Sequence, residues 1–306
     1  MKPLISLIIP VYNSEKYIED TLNSLLSGTY DNIEIIVVDD GSYDNTATLV
    51  REIAKHDERV KYHYKSNSGP SSARNHGLSL ARGNYVMFVD ADDRLKPEAL
   101  ETILGVFDIY DCEVVSFDFE TSDGSCRESI VTAPFPPSGL RTARDFLHLL
   151  YAGRTGNFIW SYCFKRELFS LKSYKFPDGI NLMEDAVLVN QIARNVESVY
   201  MLDEPLYVYT VDEASLSRSP SIARLKEGME ALSLIENLNT GDPEDSMYHS
   251  YMFNMYMYII WSISHRIKDY RFGKRVYERL VKHNACISFN HKQRIKLLLL
   301  KMFYLH

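Results

Sequence analysis

Three apolar segments in the first hundred residues are each followed by polar or acidic side chains that could bind a ligand. The segments and the residues after them are Leu4–Ile9 with Pro10-Val11-Tyr12-Asn13, Ile33–Val38 with Asp39-Asp40-Gly41-Ser42, and Tyr85–Val89 with Asp90-Ala91-Asp92-Asp93. If these segments are strands of one parallel sheet, their carboxyl ends meet at one edge, where such sheets bind ligands. The pattern therefore predicts a site at that edge.

The third of these segments ends in a pair of carboxylates that could hold a metal ion. Asp90 and Asp92 stand two positions apart, so they share one side of the chain if the extended geometry continues. Paired carboxylates suit Mg²⁺ or Mn²⁺, which keep positions open for phosphate oxygens. Alternatively, Asp92 and Asp93 cap the following turn, and the sequence leaves both interpretations open.

Two further segments combine a helix start with charged residues. In Ser68-Gly-Pro-Ser-Ser-Ala-Arg74-Asn75, the free N–H groups of a helix start and a nearby arginine would attract an anion. Glu184 and Asp185 stand at another predicted helix start, where the helix dipole alone favours acidic residues. Similarly, Asp39-Asp40-Gly41-Ser42 could bind a base or a ribose, or only cap a helix. Each of these has a purely structural alternative.

The elements that must position these residues alternate between strand and helix. Buried strands are predicted at Leu4–Ile9, Ile33–Val38, Val60–Tyr64, Tyr85–Val89 and Glu113–Phe119, and helices at 15–26, 46–55, 71–81 and 97–107. This order predicts an α/β fold with a mostly parallel sheet flanked by helices.

The second half of the chain has weaker patterns. We predict a loop over 122–139, a helix over 142–151, a strand over 158–164, a helix to Asn195, and a pair of strands over 199–211 interrupted by Pro205. After about Ser219 the pattern is helical only. We therefore divide the chain into a domain over 1–220 and a C-terminal helical region over 221–306.

Composition excludes several classes of protein. The chain has 306 residues, 45% of them hydrophobic, and a net charge of −7, which argues against disorder and against a general nucleic-acid binder. The four cysteines show no pairing or metal-binding pattern, and no apolar run is long enough to span a membrane. These features predict a cytoplasmic protein.

The C-terminal end carries an excess of positive charge. Residues 264–306 contain eleven Lys or Arg and two acidic residues, a net of +9, which leaves −16 on the rest of the chain. The last residues mix Lys292, Arg294 and Lys296 with leucines. This segment could lie on an anionic membrane, or its leucines could pack on the core with the basic face in water.

Taken together, the motifs resemble those of the family 2 glycosyltransferases, which have the GT-A fold. The segments that carry the resemblance are SLIIPVYN (6–13), VVDDGS (37–42), NSGPSSARNHG (67–77), GNYVMFVDADD (83–93) and MED (183–185). The resemblance covers roughly residues 3–220 and does not extend to the C-terminal third.

The resemblance implies a role for each matching residue. Those implied to bind the donor nucleotide and sugar are Pro10, Tyr12, Asn13, Asp39, Asp40, Ser68, Arg74, Asn75, Asp90, Ala91 and, on a loop that could close over the diphosphate, Arg218. It implies Asp92 as the main metal ligand, with Asp93 able to replace it. It implies Asp185 as the catalytic base, with Glu184 beside it near the acceptor.

The implied reaction is a single inverting displacement on a nucleotide-diphospho-sugar, UDP-sugar above all, supported by Mn²⁺ or Mg²⁺. Because the chain has no QxxRW sequence, transfer of one sugar at a time is expected, to a glycan or lipid-linked saccharide at the inner face of the cell membrane. A second copy of the chain could be a further partner. The alternatives are a nucleotidyltransferase and a catalytically silent sugar-nucleotide-binding protein of the same fold.

Overall fold

A nine-stranded sheet with helices on both faces forms the centre of the molecule. The computed structural model describes residues 2–122, 134–211, 221–239, 245–266 and 269–284. The strands are β1 (Ile5–Val11), β2 (Ile33–Asp39), β3 (Val60–Tyr64), β4 (Tyr85–Phe88), β5 (Arg94–Leu95), β6 (Val114–Thr121), β7 (Gly139–Thr142), β8 (Tyr162–Lys165) and β9 (Ser198–Tyr209). The helices are α1 (Ile18–Leu26), α2 (Thr46–His56), α3 (Pro70–Leu80), α4 (Ala99–Ile109), α5 (Ala143–Tyr151), α6 (Glu167–Leu171), α7 (Glu184–Asn195), α8 (Ile222–Leu238), α9 (Ser246–Arg266) and α10 (Tyr270–Asn284).

The sheet is parallel in its first half and mixed in its second. The strand order is β3-β2-β1-β4-β8-β6-β9-β5, with β7 paired to β9. Strands β3, β2, β1 and β4 are parallel, so their carboxyl ends meet at one edge as predicted. Strand β8 runs antiparallel between β4 and β6, and β9 is parallel to β6. The predicted α/β class is confirmed, while the sheet is less uniformly parallel than expected.

Alternation along the strands divides the apolar core into two layers. In β1, Ile5, Leu7 and Ile9 face the layer that contains α1, α2 and α4, whereas Ile8 faces the layer with α3 and α5–α10. Both sets are fully buried, because the sheet is covered on both faces. The helices therefore hold the strand ends rigidly from two sides.

Residues 199–211 were predicted as two strands, and this is wrong in the described part. Ser198–Tyr209 is one strand of 12 residues that pairs with β6 throughout. Pro205 pairs with Asp118 at a register shift, so the strand accommodates the proline by an irregularity instead of ending there. Likewise, the predicted strand over 158–164 begins as a 3₁₀ turn at Ile159–Ser161 before β8.

The C-terminal helices pack on the same core layer as α7. Leu225, Ile235 and Phe253 are buried and belong to one apolar cluster with Val187 of α7. The predicted boundary at residue 220 falls outside the described residues, so the division into two domains stays a prediction. Within the described ranges, no helix has both the length and the apolar character needed to cross a bilayer.

Candidate active site

The loops that follow β1 and β2 are joined by hydrogen bonds between backbone amides and side-chain oxygens. The Asn13 amide N–H donates to Ser42 Oγ (3.0 Å), and the Tyr43 amide N–H donates to Asn13 Oδ1 (3.0 Å). Asn13 adopts a left-handed conformation (φ 52°), which asparagine tolerates better than most residues. This places Pro10 at the end of β1 and Tyr12 and Asn13 at the predicted edge, as fixed parts of one surface.

Two tyrosines project from these locked loops into solvent. The Tyr12 side chain is 44% exposed and that of Tyr43 is 82% exposed, with ring centroids 6.0 Å apart and planes at 82°. Two large rings at right angles form a corner that a flat heteroaromatic ring could fill. Tyr12 was singled out from the sequence, whereas Tyr43 was not.

Asp39 and Asp40 are both buried and both engaged within the protein. Asp39 accepts from the Ser42 amide (2.7 Å) and from the Tyr62 hydroxyl (2.5 Å). Asp40 accepts from Lys65 Nζ (2.6 Å) and from the backbone amides of the loop before α3. These contacts favour the structural alternative, in which the two carboxylates shape the loops, and their predicted contact with the donor stays untested.

The segment before α3 and the first turns of α3 are held by Asp40 and by the chain that precedes α7. Ser68 is exposed, and its backbone N–H is taken by Asp40 (3.0 Å). Gly69 has φ 88° and lies against the Asn181 side chain, so only glycine fits there. The Asn75 side chain pairs with both the N–H and the C=O of Phe176 (2.9 and 3.0 Å), which ties α3 to the chain before α7.

In the loop after β4, the three aspartates have different surroundings. Asp93 is fully buried, and its two oxygens accept from the Tyr207 hydroxyl and the Thr210 amide, both at 2.7 Å. Burial, reinforced by the charges of Asp90 and Asp92, raises the pKa of Asp93 well above its usual range. These bonds do not favour the predicted metal role of Asp93.

The other residues of that loop reach the surface. Asp90 and Asp92 are partly exposed, and the Ala91 carbonyl accepts from Thr21 Oγ1 (2.9 Å), which fixes the backbone between them. Asp90 Oδ1 accepts from Arg74 Nη2 (2.9 Å). The pair that the sequence predicted for metal binding therefore lies at the parallel-strand edge.

Arg74 brings the loop after β4 and the start of α7 together. Its side chain is only 7% exposed and ion-pairs with Asp90 (2.9 Å), Glu184 (2.9 Å) and Asp185 (3.4 Å). The structure thus joins residues separated by 110 positions, which the sequence had assigned to one site by resemblance alone. The structural alternative for this segment, a capped helix start with Arg74 on its solvated face, is wrong for Arg74, because its side chain is buried.

Asp185 has an environment suited to proton transfer. Its Oδ2 accepts from the Ile159 amide (3.1 Å), while its Oδ1 is buried with no hydrogen-bond partner in the described structure. Burial raises the pKa of Asp185 to about 7, and Glu184 and Asp90 add to the shift against the opposing charge of Arg74. A carboxyl with a pKa near neutrality can accept a proton from a hydroxyl group.

Sequence reasoning missed the aromatic side chains that support the loop after β4 and the start of α7. Trp160 stacks on Phe158 (5.0 Å, 8°) and on Tyr207 (4.5 Å, 13°). The Tyr207 hydroxyl donates to Asp93 and accepts from the Asp90 amide. The amide of Ile159, the residue between Phe158 and Trp160 in the chain, donates to Asp185. The alternation of Tyr207 and Tyr209 in β9 was the available signal, because it places both rings on one face of the strand.

The residues present fit a divalent cation only if a ligand completes its coordination. Among the residues that the structure describes, no three His, Cys, Asp or Glu side chains cluster as a ready metal site. Asp92 and Asp90 offer hard oxygen ligands at the site edge, and one or two carboxylates are what Mg²⁺ uses when phosphates bind with it. Arg218 lies outside the described residues.

Comparison with known proteins agrees with the resemblance. The family model described as "Glycosyl transferase family 2" matches residues 6–166. The uncharacterized glycosyltransferase EpsJ of Bacillus subtilis is 34% identical over 223 residues, which is 72% of this chain and 64% of EpsJ. The chain therefore spans less than two thirds of that relative's length.

Solved structures share the fold at low identity. S. aureus TarS 1–349 in complex with UDP-GlcNAc has a TM-score of 0.66 at 21% identity and covers 91% of this chain and 88% of its own. The mannosyltransferase PcManGT of Pyrobaculum calidifontis, in complex with GDP-Man and Mn²⁺, has a TM-score of 0.60 at 18% identity, covering 100% and 81%. This chain has the GT-A fold of these neighbours, and it belongs to glycosyl transferase family 2.

Proposed function

We propose that this protein transfers a sugar from a nucleotide-diphospho-sugar to a hydroxyl group of an acceptor, with inversion at the anomeric carbon. The observation that carries the proposal is the position of Asp185, whose raised pKa suits a base and which Arg74 connects to Asp90. The base would lie on the acceptor side, and the partly exposed Asp90 and Asp92 would lie on the donor side. Inversion follows from a single displacement by the acceptor oxygen.

The donor end of the site is assigned to the parallel-strand edge. The corner of Tyr12 and Tyr43 would receive the base, beside Pro10 and Asn13. Asp90 and the Ala91 backbone would face the ribose or sugar. We favour a UDP-sugar because the fold neighbour TarS binds UDP-GlcNAc, although PcManGT binds GDP-Man on a similar fold.

We assign the metal-binding position, beside the diphosphate of the donor, to Asp92. Around Arg74, three carboxylates face a single guanidinium, so a diphosphate would meet negative charge unless it arrived with a cation. Mn²⁺ or Mg²⁺ at Asp92 would supply that charge and stabilise the leaving nucleoside diphosphate. The protein's part is to hold the ligand carboxylate on a loop that Asp93 and Tyr207 fix in place.

The acceptor is proposed to be a glycan or lipid-linked saccharide of a cell-surface polysaccharide, at the inner face of the membrane. Support comes from α10, whose exposed residues include Arg271, Lys274, Arg275 and Lys282, with Glu278 as their acidic neighbour. An exposed basic face is attracted to anionic lipid. The remainder of the chain carries the negative charge, so this end would face the membrane.

The first test is thermal unfolding with UDP, GDP, CDP and dTDP, each with and without Mn²⁺. A nucleotide at a hundredfold excess over its Kd stabilises by about 2.7 kcal/mol, which is a shift of several degrees. We expect a shift with UDP that requires Mn²⁺ and is lost in Asp92→Ala but kept in Asp108→Ala, an exposed control outside the site. A shift with another nucleotide changes the donor and keeps the reaction, whereas no shift with any of them favours a silent relative of the same fold.

A further inference from the structure

Arg74 is the contact point between the two halves of the proposed site. Its two terminal nitrogens contact different segments. Nη2 donates to Asp90 at the end of β4, whereas Nη1 donates to Glu184 and lies 3.4 Å from Asp185 at the start of α7. The planar guanidinium fixes the spacing of the carboxylates around it, which a lysine could not do. The donor side and the acceptor side are thus held by one side chain.

The position of Arg74 leaves it unsuited to bind a phosphate directly. The side chain is 7% exposed, and both terminal nitrogens already face carboxylates. The ring of Phe176 lies 5.4 Å from the guanidinium carbon, which further confines it. A phosphate would have to displace a buried ion pair to reach this arginine, at a cost that an incoming ligand seldom repays.

The two oxygens of Asp185 are not equivalent. Oδ2 accepts from the Ile159 amide, so its lone pair is engaged, whereas Oδ1 is buried without a hydrogen bond and faces Arg74. A buried carboxylate oxygen without a donor is costly unless a ligand supplies one. The acceptor hydroxyl is the group that the proposed reaction brings to this place.

We propose that Arg74 is a positioning residue that orients Asp185 Oδ1 toward the acceptor hydroxyl, and that it is not a ligand of the donor phosphates. The inference rests on the function proposed above. In the transfer, the acceptor oxygen bonds to the anomeric carbon, whose bond to the diphosphate oxygen breaks, and the hydroxyl proton passes to Asp185 Oδ1. Nucleoside diphosphate leaves with the electron pair of the broken bond. Arg74 holds Asp185 at a fixed position relative to Asp90.

The test separates turnover from nucleotide binding in Arg74→Gln and Arg74→Lys. The probes are UDP with Mn²⁺ for affinity, and UDP release from whichever UDP-sugar the unmodified protein hydrolyses, with water as acceptor. We expect UDP affinity to change by less than about threefold while kcat in Arg74→Gln falls by about a hundredfold, the scale of a displaced general base. Arg74→Lys keeps the charge and should recover part of the loss. In Arg74→Gln, the acid limb of the kcat profile should move to higher pH, because the positive charge beside Asp185 is gone.

Two controls keep the result interpretable. The first control is Arg59→Gln, because Arg59 is also partly buried and forms an ion pair with Asp57. This variant should leave kcat unchanged. Since three carboxylates without their arginine could unfold the protein, Arg74→Gln is also made with Glu184→Gln, which restores the charge balance. UDP affinity falling more than tenfold with kcat kept at saturating donor would overturn the inference and make Arg74 a phosphate ligand. An unmodified protein that binds UDP with Mn²⁺ but releases no UDP from any UDP-sugar, with water or with a saccharide acceptor, would instead refute the proposed transferase, and the inference with it.

Discussion

Asp185 is one residue whose surroundings, more than its position in a motif, indicate its chemistry. Burial raises its pKa to about 7, so at neutral pH it exchanges a proton readily, whereas an exposed aspartate would already be fully ionised. We expect transfer to rise with pH through about 7 as the base ionises. Asp185→Asn should lower kcat by about 10²–10⁴, and Asp178→Asn, an exposed carboxylate on the same segment, should not.

The same carboxyl group predicts a pH dependence of stability. Between its unfolded pKa of 3.8 and its folded pKa of about 7, the native state binds more protons than the unfolded state. The contribution of Asp185 to the free energy of unfolding must therefore fall as pH rises through that window. Denaturant titrations at several pH values should show this fall as a difference between the unmodified protein and Asp185→Asn, and the same pH dependence in both would contradict the assignment.

Tyr207 supports the acidic loop through one hydroxyl. It donates to Asp93 Oδ2 and accepts from the Asp90 amide (3.1 Å), so Tyr207→Phe leaves a buried acceptor and a buried donor unpaired. We expect the variant to lose about 1–3 kcal/mol of stability and to bind nucleotide with metal more weakly. Thermal unfolding compared with the exposed control Tyr64→Phe checks this, and equal stability of the two variants would refute the role.

The candidate residues could be chosen from the sequence, but the sequence does not divide them into ligands and supports. An aspartate or asparagine after a strand has the same sequence signature whether it binds a ligand or shapes a turn. Asp39, Asp40 and Asn75 prove to be engaged within the protein, whereas Asp92 and Tyr12 remain accessible. Only the folded chain shows which of these side chains reach the surface.

At the scale of elements, local patterns predicted β1, β2, β3 and their helices to within a few residues. The order in which distant strands pair could not be predicted, because β8 joins β4 to β6 across more than forty residues of other structure. The strand over Ser198–Tyr209 was divided at Pro205, since a proline normally ends a strand and only the irregular pairing with Asp118 shows why it does not.

Helices α8, α9 and α10 are held together by a partly buried polar contact at Glu236. Its carboxylate accepts from Tyr256 Oη (3.0 Å) and contacts Arg279 Nη1 (2.6 Å) and His283 Nε2 (2.8 Å). Although burial acts in the opposite direction, the hydrogen bonds from His283 and Tyr256 and the charge of Arg279 lower the pKa of Glu236. The ionised carboxylate is therefore the form that stabilises these helices.

Removing that carboxylate should loosen the C-terminal helices. We expect Glu236→Gln to cost about 1–3 kcal/mol at pH 7, because it weakens the hydrogen bonds of a partly buried carboxylate, whereas the exposed Glu230→Gln on the same helix should cost little. In the unmodified protein, stability from Glu236 is complete above its unfolded pKa of 4.5 and is lost as pH falls through its lower folded pKa. Hydrogen exchange in α8–α10 measures the effect directly, and protection unchanged in Glu236→Gln would refute it.

For the whole molecule, the uneven distribution of charge predicts orientation on a membrane. Reversal of three exposed basic residues of α10 to Glu (Arg271, Lys274 and Arg275) should weaken binding to anionic vesicles at least tenfold, because each basic residue near the surface contributes about 1 kcal/mol. Reversal of Lys55, Lys61 and Arg144, exposed residues elsewhere, should not. Vesicle sedimentation checks both, together with reversal of Lys292, Arg294 and Lys296.

The distance along the chain between Asp93 and its partners has a consequence for synthesis. Tyr207 and Thr210 follow it by 114 and 117 positions, so a ribosome adding about 5–20 residues per second completes the loop roughly 6–20 s after Asp93 is made. Until then, the acidic loop has none of the bonds from β9. A nascent chain cut short before β9 would contain the parallel strands β1–β4 but would lack both hydrogen bonds to Asp93, so early termination would leave an acidic loop without the partners that fix it.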